Sequence, residues 1–231
     1  MNTKKVVILA GGYGTRLSEY TKLIPKPMIE VKKGKPLITY IMNHYFKYGF
    51  KEFYIALGYK GEYIKKYFKK NKKKYKKFKI HLISTGLKTM TGGRLKRLEK
   101  FLKHERFLLT YGDGVSDVNI KKLYNFHMKK KNMVTLTAVR PPARFGAIKI
   151  KKDRISYFKE KSKIDVGWIN GGFFIIEPNF FKYIKNDKTY LEREPLEKLT
   201  REKKLGAFKH KGFWKCVDSK RDLDNLKKEL K

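Results

Sequence analysis

The chain has 231 residues, 41% of them hydrophobic, which is enough for one large domain with a substantial core or for two small ones. No apolar run is long enough to cross a bilayer, the first stops at Ala10, too soon for a secretory signal, and the single cysteine, Cys216, excludes an internal disulfide, which suits a reducing cytoplasm. The net charge of +37 points first to anionic partners such as nucleic acid or a membrane surface, yet the lysines are scattered through nearly every helix and loop that the sequence predicts.

The chain opens with a predicted strand over 5–10 that feeds a glycine-rich loop, Gly11-Gly12-Tyr13-Gly14-Thr15-Arg16. Glycines there allow a sharp turn and let backbone N–H groups come close to phosphate oxygens. The loop is not a Walker loop, because no Gly-Lys-Ser/Thr follows, and Leu17 stands where a dinucleotide fingerprint needs glycine. Thr15 adds a hydroxyl and Arg16 a bidentate phosphate donor. Ten residues beyond Arg16, Pro25 and Pro27 stiffen the backbone on both sides of Lys26, which presents a flexible cation from a fixed frame.

Helices are expected over 37–48, 61–70, 93–101 and 120–130, and strands over 53–57, 80–84, 107–111 and 134–139. That alternation predicts a mostly parallel sheet flanked by helices, with ligands gathering at the carboxyl ends of the strands. The lysine run from Lys65 to Lys79 reads as a solvated helix end and loop, or as a basic patch with Tyr67, Phe68, Tyr75 and Phe78 available to stack on bases. Its field would also steer anionic substrates. Thr91-Gly92-Gly93-Arg94 opens a helix whose glycines permit close approach to a base or ribose, with Arg94 either a phosphate contact or a surface arginine.

Asp113, between Gly112 and Gly114 at the end of a strand, suits a Mg²⁺ ligand beside phosphates or a plain Asp-Gly turn. After Pro141-Pro142 the rhythm changes to a hairpin over 147–150 and 155–159, a strand over 168–176, short helices over 179–184 and 192–200, a strand over 205–210 and a helix over 221–231. Glu160-Lys161 and Asn170-Gly171 could line a polar sugar pocket, although the first pair also fits a cross-strand ion pair. Asp218 is a second metal-ligand candidate or the N-cap of the last helix. The five histidines show no ligand spacing. With no long linker and no repeat, residues 1–231 read as one domain, about 1–140 its nucleotide-binding half and about 141–231 its β-rich, sugar-binding and metal-completing half.

The run Leu9 to Leu17 together with Pro25-Lys26-Pro27-Met28 resembles the signature of sugar-1-phosphate nucleotidylyltransferases. Met90 to Arg97, Thr110 to Val115, Arg144-Phe145-Gly146-Ala147, Ile169 to Phe174 and Glu194-Pro195-Leu196 are similar to the glucose-1-phosphate cytidylyltransferase branch of that family. The resemblance implies a Rossmann-like nucleotide-diphospho-sugar transferase fold and a Mg²⁺-assisted reaction of CTP with α-D-glucose 1-phosphate, giving CDP-glucose and diphosphate for surface-polysaccharide synthesis; the alternative is a uridylyl- or guanylyltransferase of the same fold acting on another sugar 1-phosphate. It implies that Leu9, Ala10, Gly11, Gly12, Tyr13, Gly14, Thr15, Arg16, Lys26, Thr89, Arg94 and Gly112 contact the nucleotide, with Arg16, Lys26, Asp113 and Lys161 catalytic. It assigns Gly146, Glu160, Lys161, Asn170 and Gly171 to the sugar phosphate, and Asp113 and Asp218 to the metal. It implies a cytoplasmic enzyme of small molecules, counts against nucleic acid as the partner, and leaves a homo-oligomer open. The segment between Tyr67 and Thr85 is shorter and richer in lysine than the family pattern.

Overall fold

The structure is a computed structural model that describes residues 4–141, 147–159 and 167–230. Glu160, Lys161 and Gly146 of the expected sugar pocket lie outside the described residues.

The chain begins with β1 (Lys5–Ala10), a one-turn helix α1 (Ser18–Thr21) and a small hairpin of β2 (Glu30–Lys32) and β3 (Lys35–Pro36). Helix–strand units follow: α2 (Leu37–Phe46) with β4 (Glu52–Leu57), α3 (Gly61–Lys70) with β5 (Lys79–Ser84), then α4 (Thr91–Lys96) and α5 (Glu99–Leu102) with β6 (Phe107–Tyr111). Next come β7 (Gly114–Ser116), α6 (Ile120–Lys130), β8 (Val134–Val139) and a hairpin of β9 (Ala147–Lys151) and β10 (Arg154–Lys159). The chain closes with β11 (Ile169–Ile176), α7 (Glu194–Arg201), β12 (Leu205–Lys209), β13 (Trp214–Cys216) and α8 (Lys220–Glu229).

Seven strands form one mixed sheet in the order β12-β8-β11-β6-β1-β4-β5. β11 runs antiparallel to both of its neighbours, and the other pairings are parallel. From β1 the chain moves outward to β4 and β5, then crosses back to place β6 on the other side of β1. The order therefore reverses at β1, and a crevice opens beyond the carboxyl ends of β1 and β6. The glycine loop leaves β1 at that point and Gly112-Asp113 leaves β6 there.

The central strands read as continuous apolar runs because both faces of the sheet are covered. Val6 and Ile8 point into one core with Ile41 and Tyr45 of α2, Ile64 and Phe68 of α3 and Leu123 of α6. Val7 and Leu9 point into the other, with Leu95 of α4, Leu102 of α5 and Leu199 of α7. Phe173 and Phe174 divide the same way, as a period of two requires. A third, smaller cluster joins Leu17, Ile29 and Leu37 to Val115, Val217, Leu223 and Leu226, and so fastens α8 beneath the first loop. Among the described residues no helix is long and apolar enough to cross a membrane.

Three expectations change. The aromatic side chains of the lysine run are not a stacking platform: Phe68, Tyr75 and Phe78 are buried in the core, and the Tyr67 and Tyr75 hydroxyls meet at 2.6 Å. The helix expected over 93–101 begins at Thr91 and is two short helices, α4 and α5. Its glycines serve packing rather than approach to a ligand. Met90 N–H donates to Asp187 O at 2.8 Å and Gly93 N–H to Thr189 O at 3.2 Å, and a Cβ on Gly93 would collide with the Asp187 backbone. Gly93→Ala is therefore expected to lower stability by about 1–3 kcal/mol, read as a lower urea midpoint; an unchanged midpoint would mean that the 187–189 segment yields without cost.

Candidate active site

The loop after β1 is shaped by what lies beneath it. Gly14 sits at φ +65°, and a Cβ there would meet Thr21 Cγ2 at 2.8 Å. The Thr21 hydroxyl donates to the carbonyls of Gly14 at 3.0 Å and Leu17 at 3.1 Å, which locks the turn. No backbone carbonyl among the described residues accepts from the N–H groups of Gly12, Tyr13 or Gly14. Above Gly12, a would-be Cβ has nothing within 4 Å. The loop thus offers free donors to an open space, as an anion cradle must.

Arg94 is the support under that loop. Only 4% exposed, it is neither a surface arginine nor open to a phosphate with its whole guanidinium. Its Nη2 donates to Gly11 O at 2.9 Å, and its Nη1 to Gly86 O at 2.7 Å, Thr85 Oγ1 at 2.8 Å and Leu57 O at 3.2 Å. One side chain thereby ties the loops that follow β1, β4 and β5. A Cβ on Gly11 or Gly58 would run into the guanidinium, which explains both glycines.

On the other side of the loop lies an ion cluster. Lys26 Nζ donates to Asp113 Oδ2 at 2.7 Å and to Asp218 Oδ1 at 2.6 Å, and Arg16 Nη1 donates to Asp218 Oδ2 at 2.7 Å. The two cations expected to face phosphates and the two carboxylates expected to hold metal are thus in direct contact. Burial works against the charge on Lys26, but the attraction of Asp113 and hydrogen bonds to both carboxylates outweigh it, and the pKa lies above the ordinary lysine value. Burial also opposes the charge on Asp218, yet hydrogen bonds from Lys26 and the nearby Lys26 and Arg16 charges hold it below the usual carboxylate range.

Asp218 reaches the cluster because it is spared capping duty. Ser219 is the N-cap of α8: its hydroxyl accepts from Asp222 N–H at 3.2 Å and donates to Asp222 Oδ2 at 2.8 Å. Pairing of β13 with β7 sets Cys216 opposite Gly114, and Val217 N–H donates to Asp113 O at 3.1 Å. Asp113, Cys216 and Asp218 each offer a ligand atom within 4.8 Å of the others. Burial and the Asp113 carboxylate push the Cys216 thiol up, and the two carboxylates beside it are hard oxygen donors of the kind that suit Mg²⁺ or Mn²⁺.

The cavity that holds these groups has a volume of about 620 Å³, within the roughly 300–1,000 Å³ of small-molecule sites. Leu9, Ala10, the loop from Gly11 to Arg16, Lys26, Thr89, Arg94, Gly112, Asp113, Asn170, Gly171 and Asp218 all line it. Its far wall holds residues that sequence reasoning missed. Tyr111 donates to Glu192 Oε1 at 2.7 Å, Thr91 donates to Glu192 Oε2 at 2.6 Å, and Asn170 Nδ2 donates to the Tyr111 hydroxyl at 3.2 Å. Trp214 Nε1 donates to Gly171 O at 2.8 Å and fixes β13 against β11. Tyr111 could have been found as the last strand residue before Gly112; Glu192 carries no local signal.

A family model for nucleotidyl transferases matches residues 5–230. The glucose-1-phosphate cytidylyltransferases of Salmonella typhimurium and Salmonella typhi are each 44% identical over 238 residues, which span 94% of this chain and 92% of theirs. The crystal structure of HddC from Yersinia pseudotuberculosis complexed with GMP-PN superposes with a TM-score of 0.78 at 26% identity, covering 99% of this chain and 100% of that one.

Removing the guanidinium would strand several buried carbonyls at once. Arg94→Met is expected to destabilise the fold by about 2–4 kcal/mol and to weaken nucleotide binding. Urea titration and calorimetry with a nucleoside triphosphate check the two effects; unchanged stability would show that Arg94 does not hold the loops.

Proposed function

The chain belongs to the nucleotidyl transferase family, and from that membership we propose that it transfers a cytidylyl group from CTP to α-D-glucose 1-phosphate, forming CDP-glucose and releasing diphosphate. Its fold is that of the nucleotide-diphospho-sugar transferases. The observation that carries the reading is the meeting of the β1 loop, Lys26, Asp113 and Asp218 at one cavity at the switch point of the sheet. The choice of cytidine and glucose rests on the 44% identity to the Salmonella cytidylyltransferases.

The reaction is an in-line displacement. An oxygen of the sugar phosphate forms a bond to the α-phosphorus of CTP as the bond to the departing diphosphate breaks, and diphosphate keeps the electron pair. The attacking oxygen is already anionic, so no side chain has to remove a proton, and the protein's work is positioning and charge neutralisation. Free N–H groups of the loop from Gly12 to Gly14 receive the triphosphate. Arg16 and Lys26 turn from the carboxylates to the charge that builds on the leaving diphosphate. Asp113 and Asp218 would hold a divalent cation such as Mg²⁺, which would supply positive charge against the repulsion between the phosphates. Asn170 and the Tyr111–Glu192 pair offer a polar wall to the sugar hydroxyls. Lys161, Glu160 and Gly146 keep their assignment to the sugar phosphate from the family resemblance, and residues 1–231 serve as a single nucleotidyltransferase domain.

The net charge of +37 fits a site for two anionic substrates, the triphosphate and the sugar phosphate, by raising their encounter rate. The likeness to HddC solved with GMP-PN supports guanylyl transfer to another sugar phosphate as the second reading. Incubation with each of the four NTPs and either glucose 1-phosphate or mannose 1-phosphate, with diphosphate release measured, separates the two. CTP should be preferred, and equal or greater turnover with GTP would overturn the choice of base. Lys26→Ala and Asp113→Ala, each checked for folding, should lower kcat by about two orders of magnitude or more, the scale of losing one preorganised electrostatic group; near-normal turnover in either would remove that residue from the mechanism.

A further inference from the structure

The contacts around Lys26 point to a second role for it, one that rests on the reading of Asp113 and Asp218 as metal ligands. We propose that in the nucleotide-free protein the Lys26 ammonium holds the place of the divalent cation, and that the metal enters only with a triphosphate that draws Lys26 away.

The geometry argues this directly. Nζ sits between the carboxylates, 2.7 Å from Asp113 Oδ2 and 2.6 Å from Asp218 Oδ1, and the remaining Asp218 oxygen is held by Arg16 at 2.7 Å. Two cations and two carboxylates already sum to zero, so the cluster offers no net attraction to a free metal ion. A dication reaching the same two oxygens would need distances of about 2.0–2.1 Å to each, and the ammonium stands in that space. Lys26 and the metal are therefore alternatives, not neighbours, while the site is empty of phosphate.

A triphosphate changes the balance. It brings several negative charges to the loop beside Lys26, and the stem of Lys26 borders that loop: a Cβ on Gly14 would lie 3.3 Å from Lys26 Cβ. A lysine on a four-carbon stem needs only side-chain rotation to move from carboxylate to phosphate, whereas its backbone is fixed by Pro25 and Pro27. The freed carboxylates then meet the cation carried by the triphosphate. The cluster so keeps the charges of two carboxylates balanced in the absence of substrate and commits the metal to the nucleotide complex.

The test uses Mn²⁺ alone, with bound ion counted by electron paramagnetic resonance on the full chain. Wild type should bind Mn²⁺ weakly without nucleotide. Lys26→Met, and Lys26→Gln as a second variant should the first misfold, should bind one Mn²⁺ at least about tenfold more tightly, the direction that removal of a like charge beside the ligands requires. Adding Mn²⁺ should also raise the melting temperature of either variant more than that of wild type. Equal Mn²⁺ affinity in wild type and the folded variants, or tight binding to wild type alone, would overturn the exchange. Asp218→Asn in the Lys26→Met background should abolish the gain; a gain that survives it would overturn instead the ligand assignment beneath the proposal, and CTP binding to wild type by calorimetry reports on the nucleotide site separately.

Discussion

A lysine leaves water at a tolerable cost when opposite charges go with it, and beyond the carboxyl ends of β1 and β6 that constraint binds three distant stretches of chain. Lys26 is 8% exposed and would be costly there alone. Asp113 and Asp218 make it tolerable, and each arrives by a separate route: Asp113 directly from β6, Asp218 through β13 and its pairing with β7. The third hydrophobic cluster follows the same logic, since Val115, Val217 and Leu223 bury the apolar flanks of the segments that carry the carboxylates. The ion cluster is thus at once the charge balance of the resting site and the seam that joins α8 to the first loop.

Arg94 solves a complementary problem. Where Lys26 meets carboxylates, Arg94 meets carbonyls, and it satisfies the ends of three loops that no ladder can pair. Its positive charge remains under the loop with no carboxylate partner among its hydrogen bonds. A nucleotide phosphate above Gly11 and Gly12 would therefore sit over a fixed cation as well as over free N–H groups, and no loop would have to be ordered to receive it.

Much of the frame was legible because its physics is local. Strands buried on both faces show as unbroken apolar runs, so β1, β6 and β8 match the sequence-derived ranges, and the glycine loop stands out after β1. β7 and β13 were not legible, since three residues are too few to show alternation. Gly92 and Gly93 read as a helix start near a ligand, but their reason is the 187–189 segment, ninety-odd residues away in sequence. Asp218 is ambiguous between cap and ligand in the sequence, and the structure resolves it by making Ser219 the cap, with Asp222 as its partner. The support that Arg94 gives the loops and the Tyr111–Glu192 pair were not legible for one reason: burial and partner depend on loops that meet only in three dimensions.

The contacts that close the site span most of the chain: Lys26 and Asp218 are 192 residues apart, and Arg16 and Asp218 are 202 apart. In a polypeptide made from its N-terminus, β1 and its loop exist long before the second carboxylate does. A nascent chain thus carries the cradle and both cations with only Asp113 to balance them. The active centre therefore cannot be completed until the chain has been made as far as Asp218.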